Sequence, residues 1–200
     1  MTTAKREILA CGCVVTVLDT EACAVHKPAA ASVPRQRMSL PELNHVGMVA
    51  ANRDRAVRNF TDRLGYSAAY CIDAPVTAAL STGIVTFQTK LAFIWLGNTL
   101  IEVVEPLDNL SPHADFLKSH GEGLHHLAYM VSSIKDELAR IGGGRPPRIL
   151  ADGLLEQNPL KWVYIDSEIA NGAVVELIER NPVAEEFFDT IYRSVGKKLA

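Results

Sequence analysis

One pattern occurs twice in this chain of 200 residues: an apolar strand with an early histidine, followed fifty to sixty residues later by an apolar strand with a central glutamate. The histidines are His45 and His126, and the glutamates are Glu102 and Glu176. The strands concerned span 43–49, 100–106, 124–131 and 174–179. A repeat of this length indicates two copies of one supersecondary unit, neither of which covers its own sheet face.

The segments between these strands complete the repeat. Helices are predicted from Asn52 or Asp54 to Leu64, near 113–120 and from Ser132 or Ser133 to Ile141, and strands at 66–72, 85–96, 99–104, 148–150 and 161–165. Residues 73–83 are predicted to form a loop because they contain Pro75 and Gly83. The fold class is therefore α+β, with two βαβββ modules (about 40–106 and 124–180) that form one curved eight-stranded mixed sheet.

The repeated histidines and glutamates are candidate ligands of a divalent metal. Alternate residues of a strand share a face, so each of the four side chains lies among small or apolar neighbours. An unpaired buried carboxylate costs several kcal/mol, and one metal shared by both histidines and both glutamates removes that cost. His125 is a competing candidate beside His126, although the repeat aligns His126 with His45. Glu105 and Glu179 are expected on the opposite, solvent-facing side.

Taken singly, each of these four residues could instead have a structural role and no part in binding a metal. A lone strand histidine is more often a core residue, and a lone strand glutamate is usually solvated. The matched pairs in repeated context favour the metal site.

Composition excludes several other classes of function. The net charge of −3 does not favour nucleic acid as a partner, and no apolar run approaches the ~20 residues that span a bilayer. Three of the four cysteines fall within residues 1–37, so no disulfide framework is predicted and a cytoplasmic location is expected. Residues 1–37 are interpreted as a disordered extension or a cleaved targeting segment, residues 38–182 as the folded domain, and residues 183–200 as a C-terminal helix with an apolar stripe.

The motifs around these residues resemble those of the vicinal-oxygen-chelate superfamily of paired βαβββ metalloenzymes, which includes glyoxalases, bleomycin resistance proteins and dioxygenases. The segments that carry the resemblance are 43–47, 96–102, 121–128 and 174–177, and the stretch 96–128 is most similar to methylmalonyl-CoA epimerases. The resemblance implies that His45, Glu102, His126 and Glu176 hold Co, Ni, Mn or Zn. It further implies metal-dependent isomerase or lyase chemistry, a proton transfer next to a carbonyl, with Glu176 as a base.

One departure from the epimerase pattern bears on the reaction. Epimerases of this kind carry an acid/base glutamate before the third strand, and the alignment places Thr86 there, which cannot act as a carboxylate base. A lactoylglutathione-lyase-like activity therefore stays open beside the epimerase reaction. The alternatives are an iron-dependent oxygenase and a non-catalytic small-molecule binding or resistance protein. The expected partners are a small molecule with vicinal or carbonyl oxygens, an acyl-CoA included, and a second copy of the chain in a homodimer.

Overall fold

The computed structural model describes residues 5–8, 14–17, 41–66, 69–142, 145–155, 159–170 and 172–196. The chain forms two units, the first ending at Leu40 and the second beginning at Pro41. In the first unit, β1 (Lys5–Ile8) and β2 (Val14–Val17) pair as an antiparallel two-stranded sheet. The sequence pattern does not predict these strands, although the β-branched residues of β2 favour extended backbone. The rest of the predicted extension 1–37 lies outside the described residues.

The second unit is built on eight strands that close into a barrel. The strands are β3 (Leu43–Val49), β4 (Ala69–Leu80), β5 (Gly83–Leu96), β6 (Thr99–Pro106), β7 (Gly123–Val131), β8 (Ile149–Asp152), β9 (Trp162–Ala170) and β10 (Ala173–Glu179). Their order is β10-β7-β3-β6-β5-β4-β8-β9, and β9 pairs with β10. The pairs β3–β6 and β7–β10 are parallel, and the others are antiparallel. The predicted α+β class with an eight-stranded mixed sheet is confirmed.

In the described part of the second unit, four helices flank these strands, and a side-chain cap marks the start of each. The helices are α1 (Arg53–Arg58), which continues as a π-helical turn (Asn59–Arg63), α2 (Pro112–His120), α3 (Ile134–Gly142) and α4 (Pro182–Ser194). The side chains of Asn52, Ser111, Ser133 and Asn181 accept hydrogen bonds from the first turns of α1, α2, α3 and α4, respectively. Within the described residues, no helix has the length and apolar character to cross a membrane.

The core occupies the barrel interior and two outer layers. Inside the barrel, Phe87, Phe93 and Ile178 pack with Phe188 and Ile191 of α4. One outer cluster lies between the sheet and α1, and another lies between the sheet and α3. The apolar stripe predicted for the C-terminal helix is therefore buried against the barrel interior.

The predicted loop at 73–83 is wrong, because most of it belongs to β4. Residues 69–80 pair with β5 without interruption, and Pro75 stands opposite Gln88. On its other side β4 pairs with β8 at a single position, Ala79 opposite Asp152. Pro75 is exposed and lies where β4 is in effect an edge strand, so its missing N–H leaves no ladder bond unmade.

The expectation that Glu105 and Glu179 face solvent is also wrong. Both point away from the barrel interior, but each contacts the helix of its own module. Glu105 is buried and accepts a hydrogen bond from the Arg53 amide at the start of α1 (2.7 Å). Glu179 accepts one from the Ile134 amide at the start of α3 (3.1 Å). The repeat thus includes a second carboxylate that satisfies free backbone donors at a helix start.

Candidate metal centre

The four predicted ligands lie on four strands that are neighbours in the sheet. The order β10-β7-β3-β6 places Glu176, His126, His45 and Glu102 on consecutive strands. Gly47 of β3 stands opposite Glu102 on one side and opposite His126 on the other. Glu176 stands opposite Ala128, two residues after His126. Because alternate residues share a face, all four side chains enter the barrel interior, and all four residues are buried.

The side-chain atoms of these residues converge on one point. The Nε2 atoms of His45 and His126 are 3.2 Å apart. Glu102 Oε2 lies 3.5 Å from the His45 nitrogen and 3.2 Å from the His126 nitrogen, and Glu176 Oε2 lies 3.2 and 3.4 Å from the same atoms. Ligands held at about 2.0–2.2 Å by one divalent ion lie roughly 3.0–3.6 Å apart, so the spacing fits a shared ion.

Gly47 provides the space for the His126 ring. A Cβ added at Gly47 would lie 1.9 to 2.3 Å from three atoms of that imidazole. Real Cβ contacts are never so short, so the ring can occupy its place only over a residue without a side chain. The approach of β3 and β7 therefore creates a cradle for one histidine.

Both imidazoles are held by hydrogen bonds at their other nitrogen. His45 Nδ1 lies 2.8 Å from Asn44 Oδ1, which can only accept, so in the neutral ring Nδ1 carries the proton and Nε2 offers a lone pair. Asn44 in turn donates to the Tyr192 hydroxyl of α4 (3.3 Å). His126 Nδ1 lies 2.9 Å from His125 Nδ1. His125, the competing candidate, thus supports His126 and lies outside the four-atom cluster.

The electrostatics of the cluster call for a cation. Burial lowers the pKa of His45, but the carboxylates of Glu102 and Glu176 outweigh this effect and raise it to about 9. Burial raises the pKa of Glu102, and the two histidines more than reverse this, so that Glu102 stays ionised. Glu176 Oε2 is buried and, apart from the histidine nitrogens 3.2 and 3.4 Å away, has no hydrogen-bond partner among the described residues. An orphaned carboxylate oxygen, two oriented imidazoles and two buried acids are a donor set that fits a divalent metal.

A cavity of about 100 Å³ lies beside this cluster. Its wall is largely apolar and includes Phe187 and Phe188 of α4, so that the C-terminal helix closes part of the space next to His45. The inner face of β5 contributes Phe87, Thr89, Leu91 and Phe93. The cavity therefore offers an apolar environment for a small group placed next to the four donors.

Thr86 does not face this cavity. It is exposed on the outside of β5, where its hydroxyl lies 2.8 Å from that of Thr77. Thr89 does face inward, but its hydroxyl donates to the Ala74 carbonyl (3.1 Å). Of the described residues that line the cavity, the carboxylates are Glu102 and Glu176, both of the cluster.

Two polar residues that sequence reasoning did not select also line the cavity. Tyr164 of β9 and His113 of α2 are buried, and His113 Nε2 lies 3.1 Å from the Tyr164 hydroxyl. Burial, and to a smaller degree His126, lowers the pKa of His113 to about 3. The sequence gives only a weak signal for His113. It follows Ser111 and Pro112, which are typical of a helix start, so the local pattern indicates a helix and not a functional site.

The chain is similar to several known proteins. The family model described as Glyoxalase/Bleomycin resistance protein/Dioxygenase superfamily matches residues 44–143. The chain is 32% identical over 143 residues to ethylmalonyl-CoA/methylmalonyl-CoA epimerase of Cereibacter sphaeroides, covering 68% of this chain and 95% of that protein. It is 30% identical over 140 residues to the mitochondrial methylmalonyl-CoA epimerase of Homo sapiens, covering 70% and 74%.

A solved structure shares the fold. It is a variant of Streptomyces coelicolor methylmalonyl-CoA epimerase in complex with 2-nitronate-propionyl-CoA, with a TM-score of 0.54 and 18% identity, covering 72% of this chain and 98% of that one. At this identity, the likeness bears on architecture alone.

Proposed function

Because the chain belongs to the glyoxalase/bleomycin resistance protein/dioxygenase superfamily, we propose that it is a divalent-metal-dependent isomerase or lyase that transfers a proton next to a carbonyl group. The observation that carries the proposal is the convergence of four donor atoms: the Nε2 atoms of His45 and His126 lie 3.2 Å apart, and one carboxylate oxygen each of Glu102 and Glu176 lies within 3.5 Å of both nitrogens. Co, Ni, Mn or Zn would suit this mixed nitrogen and oxygen set.

Each residue of the cluster has a role in this proposal. The two histidines and two glutamates hold the ion, which when bound acts as a Lewis acid on carbonyl oxygens and so favours an enolate. Glu176 would serve as the base after leaving the ion, and its freed carboxylate would remove the proton from the adjacent carbon. The apolar wall excludes water, which keeps the abstracted proton on Glu176 until it returns to carbon.

The relatives favour an acyl-CoA as substrate. Two of them are named methylmalonyl-CoA epimerases, and the acidic proton of such a substrate lies between two carbonyl groups. The acyl group would occupy the cavity and the CoA portion would remain outside, because 100 Å³ accommodates only a small fragment.

A second candidate is a glyoxalase-type reaction in which one base removes a proton and returns it to the neighbouring carbon. The observation that favours it is the position of Thr86 on the outer face of β5, with Glu102 and Glu176 as the carboxylates of the described cavity wall. An oxygenase would use two histidines, one carboxylate and iron, and here a fourth donor is present. A cytoplasmic location and a homodimer remain expectations that accompany this proposal.

Metal analysis tests the proposal first. Protein purified without added metal is expected to contain nearly one equivalent of a divalent ion, and His126→Ala and Glu176→Ala are expected to abolish it. His120→Ala and Glu186→Ala are matched controls, because both residues are exposed on helices away from the cluster. A protein that binds no metal, even after reconstitution, would leave a non-catalytic binding protein as the better account.

Proton exchange then separates the candidate reactions. Metal-loaded protein is incubated in D₂O with methylmalonyl-CoA or with the hemithioacetal of methylglyoxal and glutathione. Deuterium at the α-carbon of methylmalonyl-CoA supports the epimerase, and formation of lactoylglutathione supports the lyase. Iron as the native metal, with oxygen consumption on a catechol, would contradict both.

A further inference from the structure

Tyr164 and His113 are buried polar groups in the cavity wall for which the proposed function has no role. Tyr164 stands opposite Glu176 in the β9–β10 pairing, so that both side chains project into the barrel on the same face. The Tyr164 ring also contacts that of His126, with centroids 5.1 Å apart. Tyr164 therefore belongs to the part of the cavity wall beside the proposed metal cluster.

The hydrogen bond between these residues leaves one proton uncommitted. If Tyr164 donated to His113 Nε2, the imidazole proton would sit on Nδ1, which is buried without a partner. An orphaned buried N–H is rarer and more costly than an orphaned lone pair. When a ligand oxygen is present, the favoured arrangement has His113 Nε2–H donating to the Tyr164 oxygen and the Tyr164 hydroxyl donating to the ligand, which leaves only the lone pair of His113 Nδ1 without a partner.

Both groups keep the protonation states that this arrangement needs. Burial raises the pKa of Tyr164 well above its usual value, so the phenol stays protonated. His113 stays neutral because burial lowers its pKa. A neutral donor aimed at the place where negative charge develops is the kind of group that stabilises an enolate oxygen.

We propose that the Tyr164 hydroxyl donates a hydrogen bond to a substrate oxygen held beside Glu176, and that His113 positions this hydroxyl. The inference rests on the proposed function, since it requires a substrate that presents an oxygen next to the metal cluster. Tyr164 is then a catalytic residue that touches the substrate, and His113 is a positioning residue that acts through it.

Binding of a small chelating anion tests the proposal without turnover. Oxalate, which presents two vicinal oxygens, is titrated into the Co²⁺-loaded protein and followed by visible absorption. Tyr164→Phe is expected to weaken oxalate at least tenfold while the Co²⁺ content stays at the wild-type level, because a hydrogen bond to a charged group is lost. Tyr129→Phe, on the outer face of the same barrel beside α3, is the matched control and is expected to bind oxalate normally.

The positioning role of His113 has its own signature. His113→Leu is expected to weaken oxalate to the level of Tyr164→Phe, and the double variant is expected to be no weaker than either single variant. His113→Gln keeps an N–H donor near the Nε2 position and is expected to recover most of the affinity. A structural role alone would lower the thermal stability of His113→Leu and leave oxalate affinity unchanged.

The possible failures are distinguishable. Wild-type oxalate affinity in a Co²⁺-loaded Tyr164→Phe variant would overturn the inference and leave the proposed function intact. Failure of the wild-type chain to bind Co²⁺ would overturn the proposed function and, with it, the inference.

Discussion

At Gly47 the backbone of β3 passes beneath the His126 ring, and a hydrogen is the substituent that fits between them. Gly47→Ala is therefore expected to displace the ring and weaken metal binding by tenfold or more. Gly123→Ala is the control, because a Cβ there meets no atom within 4 Å. The measurement is a competition titration with a chromogenic chelator, alongside a thermal unfolding curve. Equal affinities in the two variants would show that His126 does not need its present position.

His45 gives the site a defined pH dependence. Its pKa is raised from 6.5 to about 9 in the metal-free protein, and only the neutral ring can be a ligand. Metal uptake at pH 7.5 is thus expected to release about one proton from His45, and affinity is expected to rise about tenfold per pH unit until pH 9. Calorimetry in buffers of different ionisation enthalpy counts this proton. Binding enthalpies that do not vary with the buffer would contradict the expectation.

The same shift affects the folding of the metal-free protein with a definite sign. The folded-state pKa of His45 lies above the unfolded value, so its contribution to the free energy of unfolding is complete below pH 6.5. That contribution disappears as the pH rises through 9.

The sequence predicted the four residues of the cluster better than it predicted the residues that surround them. His45, Glu102, His126 and Glu176 could be selected because a repeat places each at a matching strand position. The residues that surround the cluster are brought to it by strand pairing between segments that are distant in the sequence. Gly47 matters because β7 pairs with β3, and Tyr164 reaches the cavity because β9 pairs with β10. No local pattern near Gly47 or Tyr164 carries that information.

Among the elements, β6 and β10 each carry two glutamates that serve opposite faces of the sheet. Glu102 and Glu176 point into the barrel, whereas Glu105 and Glu179 accept hydrogen bonds from the first amides of α1 and α3. Glu105→Ala is expected to lower the free energy of unfolding by about 1–2 kcal/mol, because a helix start loses its acceptor. Metal affinity is expected to change little.

Urea unfolding measures this effect, and Glu179→Ala is the matched variant from the second module. It is expected to cost less, because Glu179 is less buried and its hydrogen bond is longer than that of Glu105. A larger loss at Glu179 than at Glu105 would contradict this account of the two contacts.

The predicted elements agree with the structure where periodicity and capping residues agree, and they differ from it at 73–83, where Pro75 and Gly83 indicate a loop. Asn52 before α1 and Ser133 before α3 are caps that the sequence predicted. Pro75 suggested a loop, yet the strand tolerates it because β4 has little pairing on its outer side. Which side of a strand is unpaired is a property of the whole sheet, so the sequence near Pro75 could not reveal it.

At the scale of the molecule, the cluster joins the two modules, with His45 and Glu102 from the first and His126 and Glu176 from the second. A bound ion stabilises the native state by about 2.7 kcal/mol at a hundredfold excess over its Kd. For a domain of this size, that corresponds to a rise in Tm of about 5–10 °C. Scanning calorimetry with added metal and with a chelator measures the difference.

Two variants make the thermal test specific. His126→Ala is expected to lose the metal-dependent rise in Tm, and His120→Ala is expected to keep it. A chelator effect that survives in His126→Ala would place the stabilising ion elsewhere in the chain.

The distance along the chain between the two histidines has a kinetic consequence. His45 and His126 are 81 positions apart, and the ligand atoms meet only after β7 has paired with β3. Such non-local pairings form slowly, so an ion has no complete site to bind while the chain is still folding. Stopped-flow measurements are therefore expected to give the same refolding rate with and without metal, and a slower unfolding rate with it. The ion would thus slow the opening of the finished barrel and take no part in guiding its assembly.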